Sequence, residues 1–111
     1  MRVFSGQRAF VLQRLTALVL LAYVAGGALR LALGPPVMLG QWRAWVATPG
    51  GAALIALLAA ALLLHAWVGV RDVVLDYVHP FGLRLAVLGA LAAALVFLGF
   101  WTALILVSHA L

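Results

Sequence analysis

Three long apolar runs, at about residues 10–33, 51–70 and 83–108, constrain this chain more than any other feature of its sequence. Each is close to the ~20 apolar residues that a helix needs to cross the ~30 Å hydrocarbon core of a bilayer. The runs are rich in leucine and alanine and lack the alternation of a membrane β-barrel strand, so they predict helices. Since 68% of all residues are hydrophobic, we predict an all-α integral membrane protein with three transmembrane helices, forming one domain over residues 1–111.

The segments between the runs carry signals that end and begin helices. A Gly-Pro-Pro sequence at 34–36 is expected to end the first helix, and Thr-Pro-Gly-Gly at 48–51 to begin the second. Trp42 and Trp45 between them indicate a stretch that lies along the lipid headgroups. The second connection is predicted over residues 71–82.

The distribution of arginines predicts the orientation in the membrane. The formal net charge of +5 comes from seven arginines and two aspartates, and the arginines are scattered at segment ends, which is unlike a nucleic-acid-binding face. Three spans place the N-terminus and the 71–82 connection on one side, with five arginines against two: Arg2, Arg8, Arg14, Arg71 and Arg84 against Arg30 and Arg43. The positive-inside rule therefore predicts a cytoplasmic (or organelle-matrix) N-terminus and a C-terminus on the opposite side.

His65 is the one histidine inside an apolar run. An imidazole in hydrocarbon requires a partner, so it is a candidate functional residue. Ala61 and Gly69, one helical turn to either side, allow either a flat ligand such as a haem or a tightly packed neighbouring helix to approach. A haem with two axial ligands would need a second one from another chain, because His79 and His109 lie at other depths. The chain has no cysteine, which excludes disulfides and thiolate-bound metals within it.

The sequence around His65 resembles a known family. His65-Ala66-Trp67-Val68-Gly69, followed by Asp76-Tyr77-Val78, is similar to the signature of the small membrane-anchor subunit of succinate dehydrogenase, respiratory complex II. Members of that family have three helices, about this length, and the same spacing from histidine to glycine to the Asp-Tyr pair. Gln13-Arg14-Leu15-Thr16-Ala17, where the first run begins, fits the family as well.

The resemblance implies a role for four residues. His65 would be an axial ligand of a haem b iron, shared with a second membrane anchor, the cytochrome b subunit. Tyr77 would donate a hydrogen bond to a quinone, and Asp76 would orient that region or deliver protons. Arg14 would pair with a haem propionate. Each residue also has a simpler explanation: packing for His65, a headgroup-level aromatic for Tyr77, a solvated carboxylate for Asp76 and a topology anchor for Arg14.

The resemblance further implies the function of the subunit. It would anchor succinate:quinone oxidoreductase to the cytoplasmic membrane, or to the mitochondrial inner membrane, and would dock the flavoprotein and iron–sulfur subunits. Electrons would pass from succinate to ubiquinone or menaquinone, linking the tricarboxylic acid cycle to the respiratory chain. The dicarboxylate chemistry is not expected here, because the chain has no nucleotide-binding motif and no soluble domain. A quinol:fumarate reductase anchor, a small transport subunit and a cofactor-free assembly subunit remain alternatives.

Overall fold

The computed structural model describes residues 7–110, and four helices make up most of this part of the chain. They are α1 (Gln7–Leu33), α2 (Leu39–Ala47), α3 (Pro49–Tyr77) and α4 (Phe81–Ala110), with no strand in the described range. The three long helices have the length and apolar composition to cross a membrane. The predicted all-α architecture with three spans is confirmed, and the chain is a multi-pass membrane protein. Arg2 lies outside the described residues.

Helix α3 is the centre of the molecule, because it contacts α1, α2 and α4. In the described range α1 and α4 do not contact each other, so the three long helices form a layer with α3 in the middle. Thr16 of α1 contacts His65 of α3, and Tyr23 contacts Leu54, so α1 runs antiparallel to α3.

The antiparallel packing brings three helix termini to one end of the molecule. Arg84, near the start of α4, bonds to Leu75 near the end of α3, and Gly99 further along α4 lies beside Leu63, so α4 is antiparallel to α3 as well. The start of α1, the end of α3 and the start of α4 therefore share this end, as predicted from three spans. Arg30, in the last turn of α1, and Arg43 of α2 lie toward the other end.

The start of α3 is built as its sequence predicts. Thr48 is the N-cap, and its side-chain oxygen accepts a hydrogen bond of 3.1 Å from the Gly51 amide. Pro49 occupies the first turn, where its missing N–H is not needed. Trp42 and Trp45 belong to the short helix α2, with ring centroids 5.4 Å apart.

The connection between α3 and α4 is shorter than the predicted 71–82. It comprises only residues 78–80, because α3 continues through Tyr77. The apolar run ends near residue 70, but leaving hydrocarbon does not end a helix, and residues 71–77 contain neither glycine nor proline. Pro80 disfavours helical geometry at residue 79 and so ends the helix. Asp76 and Tyr77 therefore lie in the last turn of a helix and not in a loop.

Candidate functional site

His65 is held by a residue of a different helix. Its Nδ1 atom lies 3.0 Å from the hydroxyl oxygen of Thr16 in α1. Thr16 is only 5% exposed, and it is the buried polar side chain among the described residues. His65 is half-buried. The partner that an intramembrane imidazole requires is therefore found, on one side of the ring, within the chain itself.

The small residues beside His65 serve the packing of helices. A Cβ atom added to Gly69 would lie 3.3 Å from Nε2 of Gln13, so the glycine makes room for a side chain of α1. Ala61 is buried. The sequence left two explanations open for these residues: clearance for a flat ligand and tight packing of helices. The structure supports packing at both positions.

Gln13 adds a second polar group to the contact between α1 and α3. Its Oε1 atom is buried and accepts no hydrogen bond from any described residue. Gln13 and Thr16 are three residues apart, which places both on the face of α1 that meets α3. The sequence shows these residues only as part of a family-like motif, and their inward orientation was not predicted.

The donor set at His65 suits a haem better than a free metal ion. Within residues 7–110, no group of three or more His, Asp or Glu side chains is placed to hold a metal. A haem brings its own four equatorial nitrogens and needs only an axial ligand from each side. Nε2 of His65 has no hydrogen-bond partner in the described range. It is not buried either, so it is exposed at the surface of this chain. One accessible imidazole nitrogen fits that requirement.

Arg14 is not brought into contact with His65. Its side chain is exposed, and its guanidinium carbon lies 5.0 Å from the centroid of the Phe10 ring on the same helix. Residues two positions apart in a helix point to nearly opposite sides. Arg14 therefore faces away from the surface of α1 that carries Thr16.

Asp76 and Tyr77 lie at a different depth from His65. Tyr77 is twelve residues further along α3, which is about 18 Å along the helix axis. Its side chain is 78% exposed, and Asp76 is exposed as well. The structure thus separates two candidate sites on one helix, one inside the membrane span and one at its end.

Arg84 closes the helix end that carries Asp76 and Tyr77. Its Nε atom donates to the carbonyl oxygen of Val78 at 2.9 Å, and its Nη2 atom donates to that of Leu75 at 3.0 Å. Both carbonyls belong to the C-terminal turn of α3, where a positive charge also interacts favourably with the helix dipole. The sequence indicated Arg84 only as a topology residue, because its partners are set by the fold of the α3–α4 turn.

A comparison with protein families agrees with the resemblance around His65. A family model described as "Succinate dehydrogenase/Fumarate reductase transmembrane subunit" matches residues 3–108. The match includes α1, α3, all but the last two residues of α4, and both candidate sites, and so extends well beyond the motif at residues 65–78. The chain therefore belongs to the family of succinate dehydrogenase/fumarate reductase transmembrane subunits.

Proposed function

We propose that the protein is the membrane anchor subunit of a succinate:quinone oxidoreductase that binds haem b through His65 and quinone near Tyr77. The observation that carries the proposal is the position of His65. This histidine lies inside a membrane-spanning helix, with Nδ1 bound to Thr16 and Nε2 open to the surface. Family membership supports a place in a complex with flavoprotein and iron–sulfur subunits.

His65 would provide one axial ligand to the haem iron, and a second membrane anchor would provide the other. Haem b, when bound, supplies a one-electron redox centre within the membrane. The resemblance also implies a charge-assisted pairing of Arg14 with a haem propionate. The position of Arg14 does not support this pairing, because its exposed guanidinium lies on the side of α1 away from Thr16. The apolar surroundings of α1 and α3 limit the access of water to His65.

Tyr77 would bind quinone at the end of α3. Its exposed phenol can donate a hydrogen bond to a quinone carbonyl oxygen, and the neighbouring Asp76 can transfer protons from water. Oxidation of succinate to fumarate releases two electrons and two protons, and reduction of quinone to quinol takes up two of each. The flavoprotein and iron–sulfur subunits would dock at this end, which the arginine distribution assigns to the cytoplasmic or matrix side.

A quinol:fumarate reductase anchor is the second candidate, because the family description covers both enzymes. The two enzymes catalyse the same reaction in opposite directions, with the same need for an anchor, a haem ligand and a quinone site. Relative rates of succinate oxidation by ubiquinone and of fumarate reduction by menaquinol, measured on the assembled complex, distinguish them.

Replacing His65 with Ala tests the proposal. We expect the complex assembled with its partner subunits to lose most of its haem, because one axial ligand is removed. The measurement is the haem-to-flavin ratio from the reduced-minus-oxidised visible spectrum of the purified complex. His109→Ala is the matched control, since His109 is exposed near the end of α4. An unchanged ratio and an unchanged low-spin spectrum in His65→Ala would contradict the proposal.

A further inference from the structure

We propose that Thr16 is a positioning residue for the haem ligand: its hydroxyl holds His65 in the Nδ1–H tautomer and so reserves the Nε2 lone pair for iron. This inference rests on the proposed function and goes beyond it, because it assigns a role to a residue of another helix. It also specifies which imidazole nitrogen binds the metal.

The contacts of the Thr16 hydroxyl favour one tautomer of His65. Its oxygen lies 2.9 Å from the carbonyl oxygen of Leu12, 3.1 Å from that of Gln13 and 3.0 Å from Nδ1 of His65. A hydroxyl has one proton, and carbonyl oxygens only accept, so the two short contacts with carbonyls are favourable only when the proton points toward one of them. The remaining contact is then a hydrogen bond only if Nδ1 of His65 carries a proton and donates it to the Thr16 oxygen.

The reverse arrangement is unfavourable in this environment. If the hydroxyl donated to Nδ1, its oxygen lone pairs would face the Leu12 and Gln13 carbonyl oxygens with no proton between them. Thr16 is 5% exposed inside a membrane-spanning helix, so water cannot relieve that repulsion. The bond to the carbonyl four residues earlier also restricts the side-chain rotamer of a β-branched residue. The direction of the Thr16 oxygen lone pair that accepts from His65 is therefore defined by α1, and with it the plane of the imidazole.

The tautomer has a direct consequence for ligation. A neutral imidazole with its proton on Nδ1 has its lone pair on Nε2, which is the nitrogen that reaches the surface of the chain. A hydrogen bond from Nδ1–H makes Nε2 a more basic ligand, and a more basic ligand favours ferric over ferrous iron. Thr16 is thus expected to increase haem affinity and to lower the haem midpoint potential.

Thr16→Val tests the inference, because valine keeps the shape of the side chain and removes the hydroxyl. In the purified complex with its partner subunits, we expect haem transfer to an excess of haem-free globin to be about 10- to 100-fold faster. We also expect a higher midpoint potential for the haem that remains, measured by redox titration of the visible spectrum. Thr16→Ser keeps the hydroxyl and should restore both values toward wild type.

Thr102→Val is the matched control. The Thr102 hydroxyl also donates to a carbonyl four residues earlier, that of Leu98 at 2.8 Å, but it lies in α4. This variant should leave haem transfer and midpoint potential unchanged. Wild-type values in Thr16→Val, or equal changes in Thr16→Val and Thr16→Ser, would overturn the inference.

Two further results separate this inference from the proposed function. Haem retained in His65→Ala would contradict the proposed function itself. If haem is lost in His65→Ala but its transfer rate and midpoint potential are unchanged in Thr16→Val, only the role of Thr16 is overturned. If Thr16→Val does not assemble, ¹⁵N spectra of histidine-labelled wild-type complex freed of its haem decide the question, because a nitrogen bound to iron carries no proton whatever Thr16 does. The signals are assigned by His65→Ala. A proton on Nδ1 of His65 is the expected result, and a proton on Nε2 would overturn the inference.

Discussion

Two polar residues inside the first membrane span, Thr16 and Tyr23, find partners on the neighbouring helix, because hydrocarbon offers them none. The Thr16–His65 contact joins two helices through side chains that would each cost free energy if left unpaired in hydrocarbon. Tyr23 makes a similar link further along the same helix pair, where its hydroxyl donates to the Leu54 carbonyl oxygen at 2.6 Å. These contacts determine the register of α1 against α3, which apolar packing alone specifies weakly.

Tyr77→Phe is expected to impair quinone reduction while leaving the haem in place. The substitution removes one exposed hydroxyl, about 18 Å from His65 along α3. The loss of a hydrogen bond to substrate lowers kcat/KM by about tenfold for each ~1.4 kcal/mol of binding lost. Steady-state succinate:quinone activity and the haem-to-flavin ratio are the two measurements. Tyr23→Phe serves as the control, and normal quinone turnover in Tyr77→Phe would leave Tyr77 as an interfacial aromatic only.

Gly51→Ala is expected to destabilise the protein, because an added Cβ would collide with the carbonyl oxygen of Trp45. The junction of α2 and α3 would have to shift, at a cost of about 1–3 kcal/mol in the free energy of unfolding. Gly50→Ala is the control, since a Cβ at Gly50 meets no atom within 4 Å. Thermal unfolding in detergent should show a lower midpoint for Gly51→Ala alone, and equal midpoints for the two variants would contradict the packing argument.

At the scale of elements, α3 carries both candidate sites and contacts every other helix. Its N-terminus is capped by Thr48, and its C-terminal carbonyls are bound by Arg84 of α4. Both ends of the helix are thus held by residues outside it. Asp76 and Tyr77, in the last turn, depend on the second of these caps for a defined position.

Arg84→Ala is expected to loosen the last turn of α3. Two hydrogen bonds from a charged donor to the Val78 and Leu75 carbonyls are lost, together with the favourable charge at the helix C-terminus. Amide hydrogen exchange around residues 74–78 should become about tenfold faster, which corresponds to ~1.4 kcal/mol.

Arg71→Ala is the matched control for Arg84→Ala, since it removes the same charge. Arg71 pairs with the neighbouring Asp72, whose side chain is exposed, at 2.9 Å. A pair with one exposed partner contributes little to stability. Exchange in the last turn of α3 should therefore stay near wild type in this variant, and equal acceleration in both variants would argue against the cap.

At the scale of the whole molecule, the described chain is a thin layer that buries little of its apolar surface. It measures 51 × 28 × 21 Å, and most large side chains of the three long helices remain exposed. Lipid and, in the proposed complex, a second membrane anchor would cover these surfaces. The open side of His65 is consistent with this arrangement, because the second haem ligand would come from outside the chain.

The orientation in the membrane can be tested with single cysteines, since the chain has none of its own. His79 lies in the connection between α3 and α4, and Gly40 lies in α2 toward the other end. We expect His79→Cys to react with a membrane-impermeant maleimide only after the cytoplasmic or matrix side is opened, and Gly40→Cys to react from the outside of intact membranes. The opposite pattern would reverse the orientation inferred from the arginines.

The sequence by itself determined the class of fold, the number of spans, the start of α3 and the family. These are local properties: hydropathy summed over about 20 residues defines a span, and a threonine followed by proline is a local signal for a helix start. It also indicated His65 as the residue to examine, because an ionisable side chain in an apolar run is conspicuous without any tertiary information. The end of α3 was predicted less well, because the end of an apolar run is not the end of a helix.

Only the tertiary structure decided which residues meet. Thr16 and His65 are 49 positions apart, and their contact depends on the register of two antiparallel helices, which no local pattern encodes. The same holds for Gly69, which accommodates Gln13, and for Arg84, which caps a helix other than its own. Hydrogen bonds between side chains on different helices require angles and distances that only packing establishes. The sequence therefore identified the histidine, and the fold supplied the neighbour that orients it.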